Sequence, residues 1–168
     1  MELIQNYLQN RKQFVKINST LSSVGNISLG IPQGSCLGPL LYLIYVNDLP
    51  NLSSNYDTIL FADDTVMSFR GENSSGLSEF CNAELDVLSG WAVANRLSIN
   101  AEKTFYNVVT NLNFPIGSFH LNLNNVSISY SSSITYLGVI FDDKIRFDRH
   151  IKYMSDKISK SIGILNKL

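Results

Sequence analysis

The sequence predicts an α+β fold, because segments with helical and with strand periodicity follow one another without the regular alternation of a parallel α/β sheet. Two short apolar strands, 56–61 and 65–69, are separated by only three residues, which is hairpin spacing. A long amphipathic helix over 77–97 follows them after a polar break. The 168 residues suffice for one compact core, and they contain no internal repeat and no low-complexity linker.

The first third of the chain predicts a helix, a hairpin, a loop and a second helix. Apolar residues at helical spacing indicate a helix over 1–10. Alternating residues on both sides of a polar turn at 19–26 indicate a hairpin over 13–30, with the return strand at Ile27 and Leu29. The glycines and prolines of 30–39 predict a structured loop. Ser35 can cap the helix predicted over 36–48, and since that helix is apolar almost all round, we expect it in the core.

The chain beyond the 56–69 hairpin predicts three strands and two helices. The apolar stripe of the long helix comprises Leu77, Phe80, Cys81, Leu85, Leu88, Trp91 and Ala92. This spacing favours a core position for Trp91 over a base-stacking role. Strands are predicted near 105–110, 119–123 and 134–141. A last helix, about 147–168, has a lysine-rich face and an apolar face made of Ile151, Met154, Ile158, Ile162 and Leu165.

Composition excludes several classes of protein. The longest apolar stretch, 37–46, is too short to cross a bilayer, and the N-terminus lacks the apolar region of a signal peptide. The two cysteines, Cys36 and Cys81, form no disulfide framework and suit a reducing compartment. Cys36 is expected to be a buried thiol at the start of an apolar helix. We therefore expect an intracellular protein of the nucleus or cytoplasm, neither secreted nor membrane-bound.

Charge is distributed unevenly, although the net charge is only −1. Residues 47–102 hold nine acidic and two basic side chains, whereas residues 144–168 hold seven basic and two acidic ones. An acidic segment and a basic segment in one chain are compatible with a metal site beside a surface that binds polyanions. Two solvated faces are the alternative interpretation.

The chemical focus of the sequence is the pair Asp63 and Asp64, which stands between two apolar strands. Regular strand geometry would point adjacent side chains in opposite directions, but a hairpin turn allows both to project beyond the sheet edge. Carboxylate oxygens suit Mg²⁺, which completes its octahedron with water and substrate phosphates. The alternative is ordinary turn chemistry, because aspartate is common in β-turns.

Several segments resemble, in the same order, the reverse transcriptase domain of non-LTR, LINE-type retrotransposons, most nearly that of the jockey-like elements. They are YLQNRKQ at 7–13, GIPQGSCLGPLLYLIYVNDLP at 30–50, YDTILFADDTVMSF at 56–69, WAVANRLSINAEKT at 91–104, YLGV at 136–139 and FDRHI at 147–151. The resemblance covers nearly the whole chain. It implies an RNA-directed DNA polymerase, and a truncated polymerase palm with an antiparallel sheet and helices packed on one face.

The resemblance also assigns roles to matched positions. Asp63 corresponds to the catalytic metal ligand at the tip of the palm hairpin, and Asp64 to its less exacting neighbour. Together they are expected to bind two Mg²⁺ ions, or Mn²⁺, in the complete enzyme. The loop beside the templating base and incoming nucleotide would contain Gly30, Pro32, Gln33 and Gly34. An ordinary loop with a helix cap is the alternative for these glycines.

Further positions carry implied roles outside this centre. Lys103 resembles the motif D lysine that protonates departing pyrophosphate, although a solvent-facing lysine at a strand start is equally compatible. The primer-grip hairpin would contain Tyr136, Leu137 and Gly138. The basic face of the last helix is expected to contact nucleic-acid backbone, or to be merely solvated; its residues are Arg149, Lys152, Lys157, Lys160 and Lys167. His120 and His150 lack partners at zinc-ligand spacing.

The resemblance predicts a fragment that covers motifs B to E. Residues 1–145 would be a partial palm without motif A, and residues 146–168 the start of a thumb or connection helix. The only acidic residue before Asp48 is Glu2, so nothing in these 168 residues replaces the motif A aspartate. Strands near 56–69 and 105–110 are expected to share one core sheet, with helices 36–48 and 77–97 on one face.

The predicted function is RNA-templated DNA synthesis from deoxynucleoside triphosphates on a primer 3′ hydroxyl, by a fragment inactive alone. RNA template, DNA primer and deoxynucleoside triphosphates are the expected partners, with no membrane and no readable stable protein partner. One alternative is a non-catalytic retroelement remnant that at most binds nucleic acid. A group II intron maturase is a further alternative, which the YVNDLP and FDRHI segments disfavour.

Overall fold

The structure is a computed structural model that describes residues 2–111 and 114–165, and it confirms the α+β class. The helices are α1 (Glu2–Leu8), α2 (Gly38–Tyr45), α3 (Ser74–Ala94) and α4 (Asp148–Leu165). The strands are β1 (Lys12–Gln13), β2 (Lys16–Ile17), β3 (Thr20–Leu21), β4 (Gly25–Asn26), β5 (Asp57–Phe61), β6 (Asp64–Ser68), β7 (Phe105–Tyr106), β8 (Leu121–Leu123), β9 (Val126–Tyr130), β10 (Ser133–Tyr136) and β11 (Val139–Asp142).

The chain divides into two compact units. The first comprises Met1–Asp48 and Phe61–Asp64, and the second comprises Leu49–Leu60 and Thr65–Leu168. In the first unit the predicted N-terminal hairpin forms as two short antiparallel ladders, β2 with β3 and β1 with β4. Its turn lies at Asn18 and Ser19, where Asn18 has a φ of 53°, so the return strand begins earlier than predicted.

Helix α2 is shorter and far more exposed than the sequence predicts. Pro39 lies in its first turn. The N-cap position is occupied by Leu37, which makes no side-chain cap, rather than by the predicted Ser35. Ser35 still contacts the helix start, because its hydroxyl accepts a hydrogen bond from the Gly38 N–H over 3.0 Å. The expectation of a core helix is wrong, since Leu43 and Ile44 are 50% and 64% exposed. The strand ladders of this unit are only two residues long and offer no broad face against an apolar helix.

The second unit contains the hydrophobic core, formed mainly between α3 and a three-stranded sheet. The predicted stripe of α3 is confirmed: Cys81, Leu85 and Leu88 are buried against β8 and β9, and Trp91 packs at the edge of the same cluster. Helix α3 begins at an Asn73 cap, whose side chain accepts a hydrogen bond from the Gly76 N–H over 2.8 Å.

The sheet beneath α3 has the order β7-β9-β8, with β9 parallel to β7 and antiparallel to β8. Strand β9 escaped prediction, although its sequence VSISY alternates apolar and polar residues. Asn82 of α3 connects the helix to this sheet. Its Nδ2 donates to the His120 carbonyl over 2.9 Å, and its Oδ1 accepts from the Asn122 N–H over 2.8 Å.

The expectation of one shared core sheet is wrong. Strands β5 and β6 form a separate two-stranded sheet, while β7 pairs with β9. Strand β7 contains only Phe105 and Tyr106 and pairs with β9. The Ser131 N–H, just after β9, continues this pairing by donating a hydrogen bond to the Tyr106 carbonyl over 2.8 Å. The common packing face of the two helices stays a prediction, since α2 and α3 belong to different units.

Strands β10 and β11 form an antiparallel hairpin that leads into α4. The Asp142 carboxylate closes the connection by accepting backbone hydrogen bonds from Arg146, Lys144 and Phe147 over 3.1, 3.0 and 2.8 Å. The bond from Arg146 is the main reason that the pKa of Asp142 lies below its usual value, and the other two add to it.

Helix α4 exposes its predicted apolar face. Ile151, Ile158 and Leu165 are 63%, 54% and 67% exposed, and the helix has no buried residue. Lys167, predicted on its basic face, lies outside the described residues.

Candidate functional site

The two adjacent carboxylates lie at the tip of the β5–β6 hairpin. Strand β5 ends at Phe61, Ala62 and Asp63 form the turn, and Asp64 is the first residue of β6. Ala62 adopts a left-handed conformation with a φ of 51°, which lets the chain reverse within two residues. Asp63 and Asp64 are both exposed, so hydrated ions can reach their carboxylate oxygens from solvent.

The turn belongs to the same compact unit as α2 and the loop before it. The pKa of the Tyr42 phenol, on α2, reflects this proximity. Burial raises the pKa of the Tyr42 phenol, and the negative charge of Asp63 raises that pKa further, because a nearby carboxylate disfavours a phenolate. The structure therefore brings the carboxylate turn into electrostatic contact with the helix that follows the glycine-rich loop.

The loop between β4 and α2 contains the predicted nucleotide-binding residues. Gly30 and Gly34 have φ values of 74° and 78°, in the left-handed region that strains other residues. A Cβ at either position would meet no atom within 4 Å, so the space beside both glycines is open. Pro32 is half-buried and Gln33 is exposed between them. The loop can thus present backbone and an amide side chain to a ligand.

Arg11 and Tyr7, for which the sequence predicted no role, form hydrogen bonds with the two ends of this loop. The Arg11 guanidinium donates hydrogen bonds to the carbonyls of Gly30 and Leu29, the latter over 3.3 Å. The Tyr7 hydroxyl donates to the Ser35 hydroxyl at the other end of the loop. Both residues lie in the YLQNRKQ segment, but nothing in the sequence indicates which carbonyls or hydroxyls they contact.

Lys103 and the predicted primer-grip hairpin belong to the second unit. Lys103 ends a short 3-10 turn capped by Asn100, and it is exposed two residues before β7. Leu137 and Gly138 form the β10–β11 turn with φ values of 48° and 81°. The Tyr136 hydroxyl is buried and has no hydrogen-bond partner in the part of the chain that the structure describes, so Tyr136 packs inward while Leu137 is exposed.

The predicted basic face of α4 is exposed, but its members are not equivalent. Arg149 donates a hydrogen bond to the Ser133 hydroxyl over 2.6 Å, which directs this guanidinium toward β10. The Lys157 ammonium lies 5.9 Å from the centre of the Tyr153 ring. Lys152 and Lys160 are exposed as well. Three lysines therefore remain accessible to a polyanion, whereas Arg149 also fastens α4 to the hairpin.

The prediction that Cys36 is a buried thiol is wrong. Its side chain is exposed rather than buried, because α2 begins two residues later and does not enter a core. Cys81 is the buried cysteine, and burial, with the Glu84 charge as a second cause, raises the pKa of its thiol to about 11. His150 accepts a long hydrogen bond from the Ile140 N–H over 3.4 Å.

Comparisons with known proteins assign the family. Residues 1–141 match the family model described as "Reverse transcriptase (RNA-dependent DNA polymerase)". The chain belongs to the reverse transcriptase family. Members of this family are nucleotidyltransferases that use divalent metal ions. The resemblance to the reverse transcriptase family is thereby confirmed.

Individual relatives are consistent with that membership. This reverse transcriptase chain is 32% identical over 160 residues to the RNA-directed DNA polymerase from mobile element jockey of Drosophila melanogaster, covering 89% of the chain and 17% of the relative. It is 31% identical over 182 residues to the jockey polymerase of Drosophila funebris, covering 99% of the chain and 19% of the relative. The chain thus spans about a fifth of these relatives. No solved structure matches it significantly.

The carboxylate turn carries donor atoms suited to part of a divalent-metal site. Asp63 and Asp64 supply hard oxygen donors that suit a hydrated Mg²⁺. Within residues 2–111 and 114–165, no three His, Cys, Asp or Glu side chains lie close enough together to hold an ion. The two aspartates can therefore contribute ligands, but the remaining donors must be water, substrate phosphate or further protein. Among the described helices, none is both long and apolar enough to cross a membrane.

Proposed function

We propose that this chain contributes palm motifs B to E to a LINE-type reverse transcriptase that synthesises DNA on an RNA template. The observation that carries the proposal is the grouping of the Asp63–Asp64 turn with the Gly30–Gly38 loop in one compact unit. Carboxylates for metal ions and an open, glycine-lined loop are the two components that nucleotidyl transfer needs close together.

In the proposed reaction, the primer 3′ oxygen attacks the α-phosphorus of a deoxynucleoside triphosphate. A new P–O bond forms as the bond to pyrophosphate breaks, and the 3′ hydroxyl proton is lost to solvent. Asp63 and Asp64 would hold the two Mg²⁺ ions, which neutralise charge on the phosphates when bound. Lys103 would donate a proton to the leaving pyrophosphate. Gly30, Pro32, Gln33 and Gly34 would lie beside the incoming nucleotide and templating base.

The remaining residues would hold the primer and template. The primer-grip hairpin that holds the primer end would contain Tyr136, Leu137 and Gly138, the last two at the exposed turn. Lys152, Lys157 and Lys160 would neutralise backbone phosphates without reading sequence, with Arg149 assisting from its position against β10. Residues 1–145 are then a partial palm, and residues 146–168 begin a thumb or connection helix. Since the substrates are nucleoside triphosphates and RNA, we propose an intracellular site of action.

A second candidate is a retroelement remnant that binds nucleic acid without catalysis. The specific observation in its favour is that the lysines of α4 are exposed and lie in a separate element from the carboxylate turn. Such a protein would bind primer–template through α4 and would not respond to changes at Asp63.

Metal binding tests the proposed site in the 168-residue chain itself. Mn²⁺, a paramagnetic substitute for Mg²⁺, should selectively broaden the amide NMR signals of Ala62 to Thr65. The double change Asp63→Asn and Asp64→Asn should abolish this broadening. The matched control Glu72→Gln removes an exposed carboxylate elsewhere and should leave it unchanged. Equal broadening at all three acidic positions, or none at the turn, would contradict the proposal.

Catalysis requires a longer polypeptide that adds an upstream motif A aspartate, fingers and thumb. That polypeptide should extend a primed RNA template with Mg²⁺ and deoxynucleoside triphosphates. Asp63→Ala should abolish extension without lowering the unfolding midpoint, while Glu72→Gln should retain it. If Asp63→Ala still extends the primer, Asp63 is not the metal ligand.

A further inference from the structure

We propose that Arg11 and Tyr7 are positioning residues that hold the two ends of the Gly30–Gly38 loop in a conformation ready for substrate. The inference rests on the proposed function, in which this loop lies beside the incoming nucleotide. The N-terminal segment supplies both contacts and itself contains none of the proposed substrate-binding residues.

Arg11 holds the entrance of the loop. Its Nη2 donates to the carbonyls of Gly30 and Leu29, and its Nε donates to the Leu8 carbonyl at the end of α1 over 3.2 Å. A planar guanidinium can bridge three carbonyls at once, which a lysine ammonium on a flexible stem cannot reproduce. The Gly30 carbonyl is thereby fixed where the backbone enters its left-handed conformation.

Tyr7 holds the exit of the loop. Its hydroxyl donates to Ser35 Oγ, and the same oxygen accepts the Gly38 N–H over 3.0 Å. A serine hydroxyl has two acceptor lone pairs, so it can receive both hydrogen bonds. Tyr7 is therefore connected through Ser35 to the first turn of α2.

Between these anchors, Gln33 and Gly34 are exposed, whereas Ile31 and Pro32 are half-buried. A Cβ at Gly30 or Gly34 would meet no atom within 4 Å, so nothing packs against the loop at these two positions. The conformation there then depends on the contacts at the ends of the loop. A loop ordered before substrate arrives loses less entropy on binding, which increases affinity.

Backbone order parameters from ¹⁵N relaxation test the anchors directly. In the unmodified chain the amides of Gly30, Gln33 and Gly34 should have values near those of rigid backbone, about 0.85, and in Arg11→Met and Tyr7→Phe they should fall below about 0.6. Arg11→Lys should restore order only partly. Arg70→Met and Tyr153→Phe remove a guanidinium and a hydroxyl elsewhere and should leave the loop unchanged.

Two results would overturn the positioning role. One is an unchanged loop in both Arg11→Met and Tyr7→Phe. The other is a loss of order throughout α2 and the β1–β4 ladder with a lowered unfolding midpoint, which would mean that the two residues merely stabilise the unit.

A titration with a deoxynucleoside triphosphate and Mg²⁺ separates this inference from the proposed function. Amide signals of Gly30, Ile31, Gln33 and Gly34 should shift in the unmodified chain. In Arg11→Met the apparent Kd should rise about tenfold, as expected if only a tenth of the loops are competent. Absent shifts in the unmodified chain would contradict the proposed function, while the order parameters would still decide the positioning role. If the loop of Arg11→Met is disordered but its Kd for the nucleotide is unchanged, the positioning role of Arg11 is refuted.

Discussion

The Asp63 carboxylate raises the pKa of the Tyr42 phenol, in addition to the larger effect of burial on the same group. The two residues lie far apart in the sequence, one at a hairpin turn and the other on α2. Their electrostatic coupling shows that the carboxylate turn is close to the helix that the glycine-rich loop introduces. We therefore expect the Tyr42 phenol to report a change of charge at the proposed metal site.

Neutralising Asp63 should lower the pKa of Tyr42 toward the ordinary value of 10.0, because one of its two raising causes is removed. Titration of ¹³Cζ-labelled tyrosine by NMR would measure this. Saturating Mg²⁺ should act in the same direction as Asp63→Asn, whereas Asp57→Asn should have no effect. A Tyr42 pKa that ignores both Asp63→Asn and the metal would contradict the coupling.

The sign of the resulting pH dependence follows from the raised pKa. The folded state holds the Tyr42 proton more tightly than the unfolded state does, so this contribution to stability is complete below pH 10 and is lost as pH rises through the folded pKa. The unfolding free energy of the unmodified chain should therefore fall relative to that of Tyr42→Phe as pH rises from 10 through the folded pKa.

The two cysteines should differ strongly in reactivity. At pH 8 an aromatic disulfide reagent should modify exposed Cys36 rapidly, whereas Cys81 should react only on unfolding, because its thiol is buried and has a pKa of about 11. The absorbance of the aromatic thiolate released by the reagent would count the cysteines that react in the native protein. Cys36→Ser should abolish the fast phase, and a fast phase that persists in this variant would refute the assignment.

Leu123 should be a major contributor to stability in the second unit. Its side chain is 1% exposed at the centre of the α3–sheet core, so Leu123→Ala should lower the free energy of unfolding by about 3 kcal/mol. Urea denaturation would measure the change. Val87→Ala shortens a half-exposed side chain of α3 and should change stability by less than about 0.5 kcal/mol. Similar losses in the two variants would mean that this core is not the stabilising one.

Nucleic-acid binding by the 168-residue chain should depend on α4 and on salt. The double reversal Lys157→Glu and Lys160→Glu should weaken binding about equally for all sequences. It should also make the slope of log K against log salt shallower by the amount expected for about two lost phosphate contacts. Fluorescence anisotropy with a labelled primer–template would measure both. The control reversal Lys12→Glu and Lys16→Glu changes the same charge elsewhere and should have less effect. Equal losses would indicate a nonspecific charge effect.

The 168-residue chain should not extend a primed RNA template on its own. Two carboxylates on one hairpin should bind divalent ions only at about millimolar concentrations or more weakly, since Mg²⁺ gives up its waters reluctantly. Phosphoryl transfer relies on positioned metal ions rather than on covalent catalysis by the protein. Extension measured with Mg²⁺ and deoxynucleoside triphosphates should stay at background. Extension that Asp63→Ala abolishes would contradict this expectation.

Local patterns in the sequence were sufficient for much of the secondary structure. The α3 stripe, the α4 periodicity and the position of the Asp63–Asp64 turn follow from side-chain spacing, which depends on neighbours a few residues apart. The same local rules failed for α2 and Cys36. Apolar composition indicates that a helix can be buried, but burial requires a partner surface, and the short ladders of the first unit do not provide one.

The sequence by itself determined the α+β class, the principal helices and the order of motifs that led to the reverse transcriptase family. Only the tertiary structure decided that β7 pairs with β9 instead of the β5–β6 hairpin, that Asp63 acts on Tyr42, and that Arg11 and Tyr7 hold the glycine loop. These contacts join residues distant in the chain through backbone carbonyls, hydroxyls and long-range charge. Such groups occur at nearly every position, so their partners are chosen by the path of the folded chain.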